Sequence, residues 1–429
     1  TQFIIDFSER IFGGSPGGPA KVSVLGSGLM GSLSGSAVAN AVTTGTFTIP
    51  MMRNVGFKPH VAAGITAAAA SGGALVPPVM GAGAYMMLEI VEPNVTFVQV
   101  ATAAAIPAIL YYLSIWMIVH FYSRRVGQTA RATDAMPRKE LSKFEATVFF
   151  GALVALIGLL LDSYTPFKAV SGALMVIMVC TVFRRELPLE KKTRALAILT
   201  FVLVVLVNQL QWKWSVWLPD GLASFLSTYQ PGAWTDPSVQ AITRRAVMGS
   251  LLSSTILGTM GLFVFGLCAR SWRPSMLSAM SRAAKNGVSL VAASACVGII
   301  IGVVQQTGIA TDFSAVIKSV VASSLLLALL GIMVCSIVLG MGVPSVVCYL
   351  LMATLMGSLL GELGVIPLAA HLFIFYFGMM SMVTPPVALA AYASASIAKA
   401  NIMRTGLAAF RFSLVGFTLP FMFVYRPAL

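Results

Sequence analysis

Charged side chains are scarce in this sequence. Asp, Glu, Lys and Arg make up 10% of its 429 residues, against roughly a quarter in an average soluble domain. A water-soluble fold could not cover its surface with so few. A hydrophobic share of 58% and a mean hydropathy of +0.89 make lipid the solvent for most of the chain. Acid is scarcer than base, 14 Asp and Glu against 28 Lys and Arg, for a formal net charge of +14. In a soluble protein that excess would suggest nucleic acid. Here the bases fall in short clusters between long apolar runs, as the positive-inside rule requires of cytoplasmic loops, and nucleic acid is excluded as a partner.

Cysteine and histidine are nearly as sparse. Cys180, Cys268, Cys296, Cys335 and Cys348 lie in apolar segments without C-x-x-C spacing, which excludes a disulfide framework and a zinc site and leaves them as small packing residues. An intramembrane hydrolase using Ser34 or Ser36 would need a base within hydrogen-bond reach. His60, His120 and His371 fall at segment ends with no obvious partner, so no catalytic residue is assigned and the chain is read as a non-enzyme. His371, near the start of an interrupted segment, is a candidate for a proton-linked role. A signal peptide and an initiator Met are also missing. The opening TQFIIDFSERIFGG reads as the tail of an earlier helix, and a longer protein is expected.

What is abundant is apolar length. A spanning helix needs about 20 apolar residues, and candidates fall at 96–120, 145–161, 168–183, 195–211, 244–269, 285–306 and 405–427. Between them lie apolar segments broken by Gly, Pro, Ser and Thr, at 20–52, 60–88, 320–360 and 367–398. Orientation follows from the bases. With Arg124, Arg125, Arg131, Arg138, Lys139 and Lys143 cytoplasmic, counting spans also places Arg53, Lys58, Arg184, Arg185, Lys191, Lys192, Arg194, Arg270, Arg273, Arg282, Lys285, Lys399 and Arg404 inside. Glu89, Glu92, Asp162, Asp220, Asp236, Asp312 and Glu362 then fall in outer loops, and Arg244 and Arg245 fit least well. Trp212, Trp214, Trp217 and Trp234 flank one loop as an interfacial belt.

The count closes only if 20–52 and 320–360 each enter and leave on one side, as re-entrant hairpins opening from opposite faces. That makes an inverted repeat. Each hairpin has a polar or Gly-rich midpoint (LSGSAVAN at 33–40, GMGVPS at 340–345), and each is followed by a Pro-Pro break (SGGALVPPVMGAGA at 71–84, SMVTPPVALAAYAS at 381–394). Matching interrupted segments in two halves point to a transporter binding site. Proline removes an N–H and disrupts the helix one turn back, and orphaned backbone groups at membrane depth survive only inside protein or beside a watery cavity. Their carbonyls and nearby hydroxyls are hard ligands suited to Na⁺.

The cation neighbourhoods expected on this logic are Ser34, Gly35, Ser71, Gly72 and Gly73 in the first half. In the second they are Gly340, Gly342, Ser345, Ser381 and Thr384. A single serine in a membrane helix usually packs or bonds its own backbone; four clusters in symmetric positions carry the argument.

The strings GSLSGSAVANAVTTGTFTIPMM, ASGGALVPPVMGAGAYMM, LGMGVPSVVCYLLMATL and HLFIFYFGMMSMVTPPVALAAYASASIA resemble the large membrane subunit of tripartite ATP-independent periplasmic (TRAP) transporters, with the closer similarity to the TAXI-type branch. The resemblance implies an all-α polytopic membrane protein with two re-entrant hairpins and two broken helices, working as an elevator. By it, 1–16 ends a scaffold helix, and 17–92 and 285–400 are the two repeats of the transport domain. The scaffold comprises 93–284 and the C-terminal helix 401–429.

It implies substrate contacts near Ser36, Asn40, Thr43, Ser345 and Thr384, and Na⁺ as the coupling ion with H⁺ as the alternative. Its implied partners are a periplasmic substrate-binding protein, a small four-helix membrane subunit or fused equivalent, and a small carboxylate such as a dicarboxylate, oxoacid or glutamate. The implied location is the bacterial or archaeal cytoplasmic membrane. The sequence departs from the family pattern at Val346, where a second hydroxyl is usual, and at Thr66 and Ala74, where the TAXI-type pattern has Glu and Gln. A carboxylate carrier working without a binding protein is the competing expectation; a channel would need rings repeated around a continuous pore.

Overall fold

The computed structural model describes residues 2–78, 80–127, 143–162, 164–183, 195–206, 237–270, 272–308 and 324–426. Of the residues read above, Arg131, Arg138, Lys139, Arg184, Arg185, Lys191, Lys192, Arg194, the four tryptophans of the belt, Asp220, Asp236 and Asp312 lie outside them. Among the described residues every regular element is a helix.

In chain order these are α1 (Gln2–Phe12), α2 (Gly18–Ser34), α3 (Ala37–Asn54), α4 (Pro59–Gly72), α5 (Gly81–Ile90), α6 (Phe97–Arg125), α7 (Lys143–Leu161) and α8 (Pro166–Phe183). There follow α9 (Ala195–Leu206), α10 (Pro237–Cys268), α11 (Arg273–Thr307), α12 (Leu325–Gly340), α13 (Ser345–Glu362), α14 (Pro367–Met380), α15 (Leu389–Ala398), α16 (Ile402–Ser413) and α17 (Leu419–Tyr425). Short 3-10 turns follow α4 (Gly73–Leu75), α14 (Ser381–Val383) and α16 (Leu414–Phe417).

The chain forms two compact units, one from Thr1–Leu141 with Ser289–Leu429 and the other from Ser142–Val288. In the second unit α8 packs between α7 and α10, and Trp272, Leu262, Ala197 and Met276 form a small buried cluster.

The first unit carries the repeat. α2 and α3 form one helical hairpin and α12 and α13 another. From the second arm of each hairpin onward the two halves keep identical lengths. Ala37 answers to Ser345, Asn54 to Glu362, Pro59 to Pro367, Gly72 to Met380, Gly81 to Leu389 and Ile90 to Ala398, all at one constant spacing. Each broken helix runs as an α-helix, a 3-10 turn, a Pro-Pro pair (Pro77–Pro78, Pro385–Pro386) and a second short helix. The halves are interleaved: α15 packs on α3 and α4 of the first repeat, and α5 packs on α13 and α14 of the second.

Among the described residues, three stretches are long and apolar enough to cross a membrane, Phe97–Arg125, Phe144–Leu161 and Ile402–Tyr425. α6 begins with a reciprocal cap between Thr96 and Gln99 and ends at Arg124 and Arg125. It leaves Ile106, Ile109, Leu113, Met117 and Phe121 exposed, the outer face expected of a helix in lipid. The segment expected as one helix at 405–427 is instead interrupted. α16 gives way at Leu414 to a 3-10 turn, and α17 restarts with Pro420 in its first turn, because proline fits there and not inside the preceding helix. Glu89, Glu92 and Asp162 are exposed at helix ends, as expected.

Candidate functional site

The first hairpin turns at Gly35 and Ser36. Gly35 adopts φ 61°, the left-handed conformation that favours glycine, and its N–H donates to the Gly31 carbonyl to close α2. Ser36 opens α3 as an N-cap, its Oγ accepting the Ala39 N–H at 3.3 Å. The tip rests on the broken helix through backbone. A Cβ on Gly35 would stand 2.1 Å from the Gly81 Cα, and one on Gly31 would stand 2.3 Å from the Gly73 Cα.

Asn40 lies at this contact, fully buried. Its Nδ2 donates to the carbonyls of Ser27 (2.8 Å) and Ala70 (3.2 Å). Its Oδ1 finds no hydrogen-bond partner among the described residues, and neither does the Oγ of buried Ser71, next along from Ala70.

Near the end of α4, where a helix begins to run short of N–H partners, three successive carbonyls receive side chains, and that of Ala70 also accepts the Gly73 N–H. Tyr111 Oη donates to Ala68 O (2.8 Å), Tyr112 Oη to Ala69 O (2.7 Å) and Asn40 to Ala70 O. The two tyrosines come from α6, and the Tyr111 ring lies where a Cβ on Gly72 would be, 2.1 Å away. Deeper in the hairpin, buried hydroxyls link α2, α3 and α4: Ser27 with Thr44 (3.1 Å), and Ser23 with both Thr48 and Thr66 (3.2 Å each).

The second repeat makes the same contacts with other atoms. Gly340 meets Ser381, whose Oγ lies 3.0 Å from the Gly340 carbonyl and 2.7 Å from that of Gly378. Cys348 Sγ donates to the Ser336 carbonyl at 3.2 Å. Ser345, the first residue of α13, is buried, and Thr384 Oγ1 donates back to Met380 O (2.8 Å). His371 is buried with its Nδ1 2.9 Å from Tyr349 Oη.

Of the expected site residues, the fold gathers Gly35, Asn40, Ser71, Gly72 and Gly73 around one hairpin-to-break contact, and Gly340 with Ser381 around the other. Ser34, Ser36 and Gly342 are exposed at the tips, and half-buried Thr43 donates to the Ala39 carbonyl on its own helix. Sequence reasoning missed Ser23, Ser27, Thr48, Tyr111 and Tyr112. The serines and threonines carry a signal, pairs four apart (Ser23 and Ser27, Thr44 and Thr48) that share a helix face. The tyrosines carry none.

Such an arrangement defines an all-helical membrane protein built on a duplicated hairpin and broken helix. The chain belongs to the tripartite ATP-independent periplasmic transporter family, DctM component, whose model matches residues 1–217 and 239–429. It is thus a TRAP-type large membrane subunit, the family its four motif strings suggested. It is 28% identical over 196 residues to a sialic acid TRAP transporter permease protein, SiaT, of Haemophilus influenzae, covering 44% of this chain and 30% of the relative. It is 27% identical over 194 residues to the sialic acid TRAP transporter large permease protein SiaM of Vibrio cholerae, covering 44% of each. To the C4-dicarboxylate TRAP transporter large permease protein DctM of Pseudomonas aeruginosa it is 27% identical over 176 residues, covering 40% of this chain and 39% of the relative. The chain therefore spans less than half the length of these curated relatives.

Proposed function

We propose that this chain is the translocation subunit of a secondary active transporter that imports a small organic acid from a periplasmic binding protein, driven by an ion gradient. Family membership supports the transport class, and relatives named for sialic acid and for C4-dicarboxylates support a carboxylate cargo. It sits across the bacterial or archaeal cytoplasmic membrane with a small membrane subunit, within the TAXI-type branch. The two hairpins are re-entrant from opposite faces, and the hairpin–break unit moves as an elevator against the remaining helices.

The observation that carries the reading is the pair of buried, unpartnered oxygens at the first hairpin contact, Asn40 Oδ1 and Ser71 Oγ. A buried polar atom without a partner costs about 1–3 kcal/mol, and hard oxygen ligands at a helix break suit Na⁺. Asn40 and Ser71 would hold the coupling ion there; in the second repeat Ser381, beside Gly340 and at the position that Gly73 holds in the first, would serve. The bound ion supplies positive charge near the tips, where Ser36 and Ser345 begin helices whose N-termini attract a carboxylate.

The test is uptake of labelled carboxylates into proteoliposomes holding the full assembly and its binding protein. An inward Na⁺ gradient is expected to drive uptake and a proton gradient alone is not. Uptake driven by protons alone would discard the sodium site and bring His371 and Tyr349 forward. Uptake unchanged without the binding protein would favour the self-sufficient carrier.

A further inference from the structure

A cavity of about 480 Å³ lies away from both hairpin contacts, between the start of α4, the end of α6 and the face of α16. Its rim is basic. Lys58, Arg404 and Arg411 line it, all three are exposed, and no Asp or Glu is among its lining residues. Its wall is apolar, made by Ile118 and Phe412, with Tyr122 set edge-on to Phe412 at 5.5 Å between ring centres.

The sequence explains the shape. Arg404 and Arg411 are seven residues apart, two turns along one helix face. Gly64 lets α4 approach α16 closely, since a Cβ there would lie 2.7 Å from the Ala408 Cβ. Both Lys58 and Arg404 fall on the cytoplasmic side in the charge-derived orientation.

A soluble anion would need only the bases, and a protein partner's apolar side chain only the wall. An anion joined to a hydrocarbon tail needs both. Basic pockets between helices on the cytoplasmic side are where phospholipid headgroups bind. We propose that this cavity is a binding site for an anionic phospholipid, with its phosphate among Lys58, Arg404 and Arg411 and its acyl chain along Ile118 and Phe412. The site is separate from the ion and substrate contacts, and its occupancy is read without transport.

The test uses the assembled transporter in nanodiscs of neutral phosphatidylcholine, titrated with a fluorescent phosphatidylglycerol, with inorganic phosphate as competitor. Saturable preference for phosphatidylglycerol is expected. It should weaken about fivefold for each of Lys58→Gln, Arg404→Gln and Arg411→Gln, the weight of one base against an anionic lipid, while Arg404→Lys retains most of it. Arg282→Gln, an exposed base outside the cavity, should leave it unchanged, and equal thermal melting of all variants shows that they fold. Equal binding of both lipids would overturn the proposal. So would a preference indifferent to the three substitutions, or full displacement by inorganic phosphate, which would mark a soluble-anion site.

Discussion

From equivalent positions on the second arm of each hairpin, Asn40 donates to the Ser27 carbonyl and Cys348 to the Ser336 carbonyl. Beside them the close approach of hairpin and break is Gly31 on Gly73 in one repeat and Gly340 on Ser381 in the other. Where the first repeat buries Thr44, Thr48 and Thr66, the second buries Met352, Met356 and Ile374 at the matching places. At these three places one backbone plan is held by hydrogen-bonded hydroxyls in one copy and by apolar packing in the other, whose own buried polar link between the corresponding helices is Tyr349 to His371. Duplication preserved the geometry of the break and let its chemistry diverge. Among the described residues each hairpin keeps a buried oxygen without a partner, an amide oxygen at Asn40 in the first copy and a hydroxyl at Ser336 in the second.

The sharpest way to break this comparison is to exchange the residues at the close approach. Gly73→Ser places a Cβ 2.6 Å from the Gly31 Cα and 2.7 Å from Asn40 Nδ2. The expected overpacking, about 1–3 kcal/mol or more, should appear as aggregated or low-melting protein in size-exclusion and thermal-shift assays. Wild-type behaviour would mean the two contacts are interchangeable.

Next comes Asn40→Ala, which removes a donor from two buried carbonyls and is expected to cost about 1–3 kcal/mol as well as ion-driven uptake. Asn40→Cys copies the second repeat; it should recover part of the melting temperature and none of the uptake. A smaller contrast separates two serines. Ser381→Ala should lower stability by about 1 kcal/mol through its lost hydrogen bond. Ser71→Ala should leave melting unchanged while raising the Na⁺ concentration needed for half-maximal uptake, since its Oγ has no hydrogen-bond partner among the described residues. Smallest is Tyr112→Phe, expected to cost about 0.5–1.5 kcal/mol and to leave ion dependence intact; a change in ion dependence would place α6 inside the site.

Much of this plan was legible because Pro and Gly act locally. The Pro77–Pro78 and Pro385–Pro386 pairs and the GSLSGS and GMGVPS strings mark breaks without knowledge of the partner strand of chain. The hydroxyl ladder was harder to see, because helices buried on all sides lose the polar–apolar alternation that identifies a face. Tyr111 and Tyr112 were invisible, since each reaches carbonyls 43 residues earlier and nothing in an aromatic run on α6 reveals that. The C-terminal segment is legible as one spanning stretch because its hydropathy is continuous, while the 3-10 turn inside it is signalled by Pro420 alone.

The interleaving of α15 with α3 and α4 constrains how the molecule is made. During synthesis the first hairpin and broken helix emerge well before α15, with the whole of the second compact unit translated in between. Until then the surface of α3 and α4 that α15 will cover has no permanent neighbour, and the polar groups of the early half must be sheltered in the insertion machinery or by provisional contacts. Domains generally fold as units in order of synthesis, but here the early half cannot finish first. A ribosome stalled before Leu389 should therefore hold an N-terminal half still open to protease, and release past Ala398 should close it.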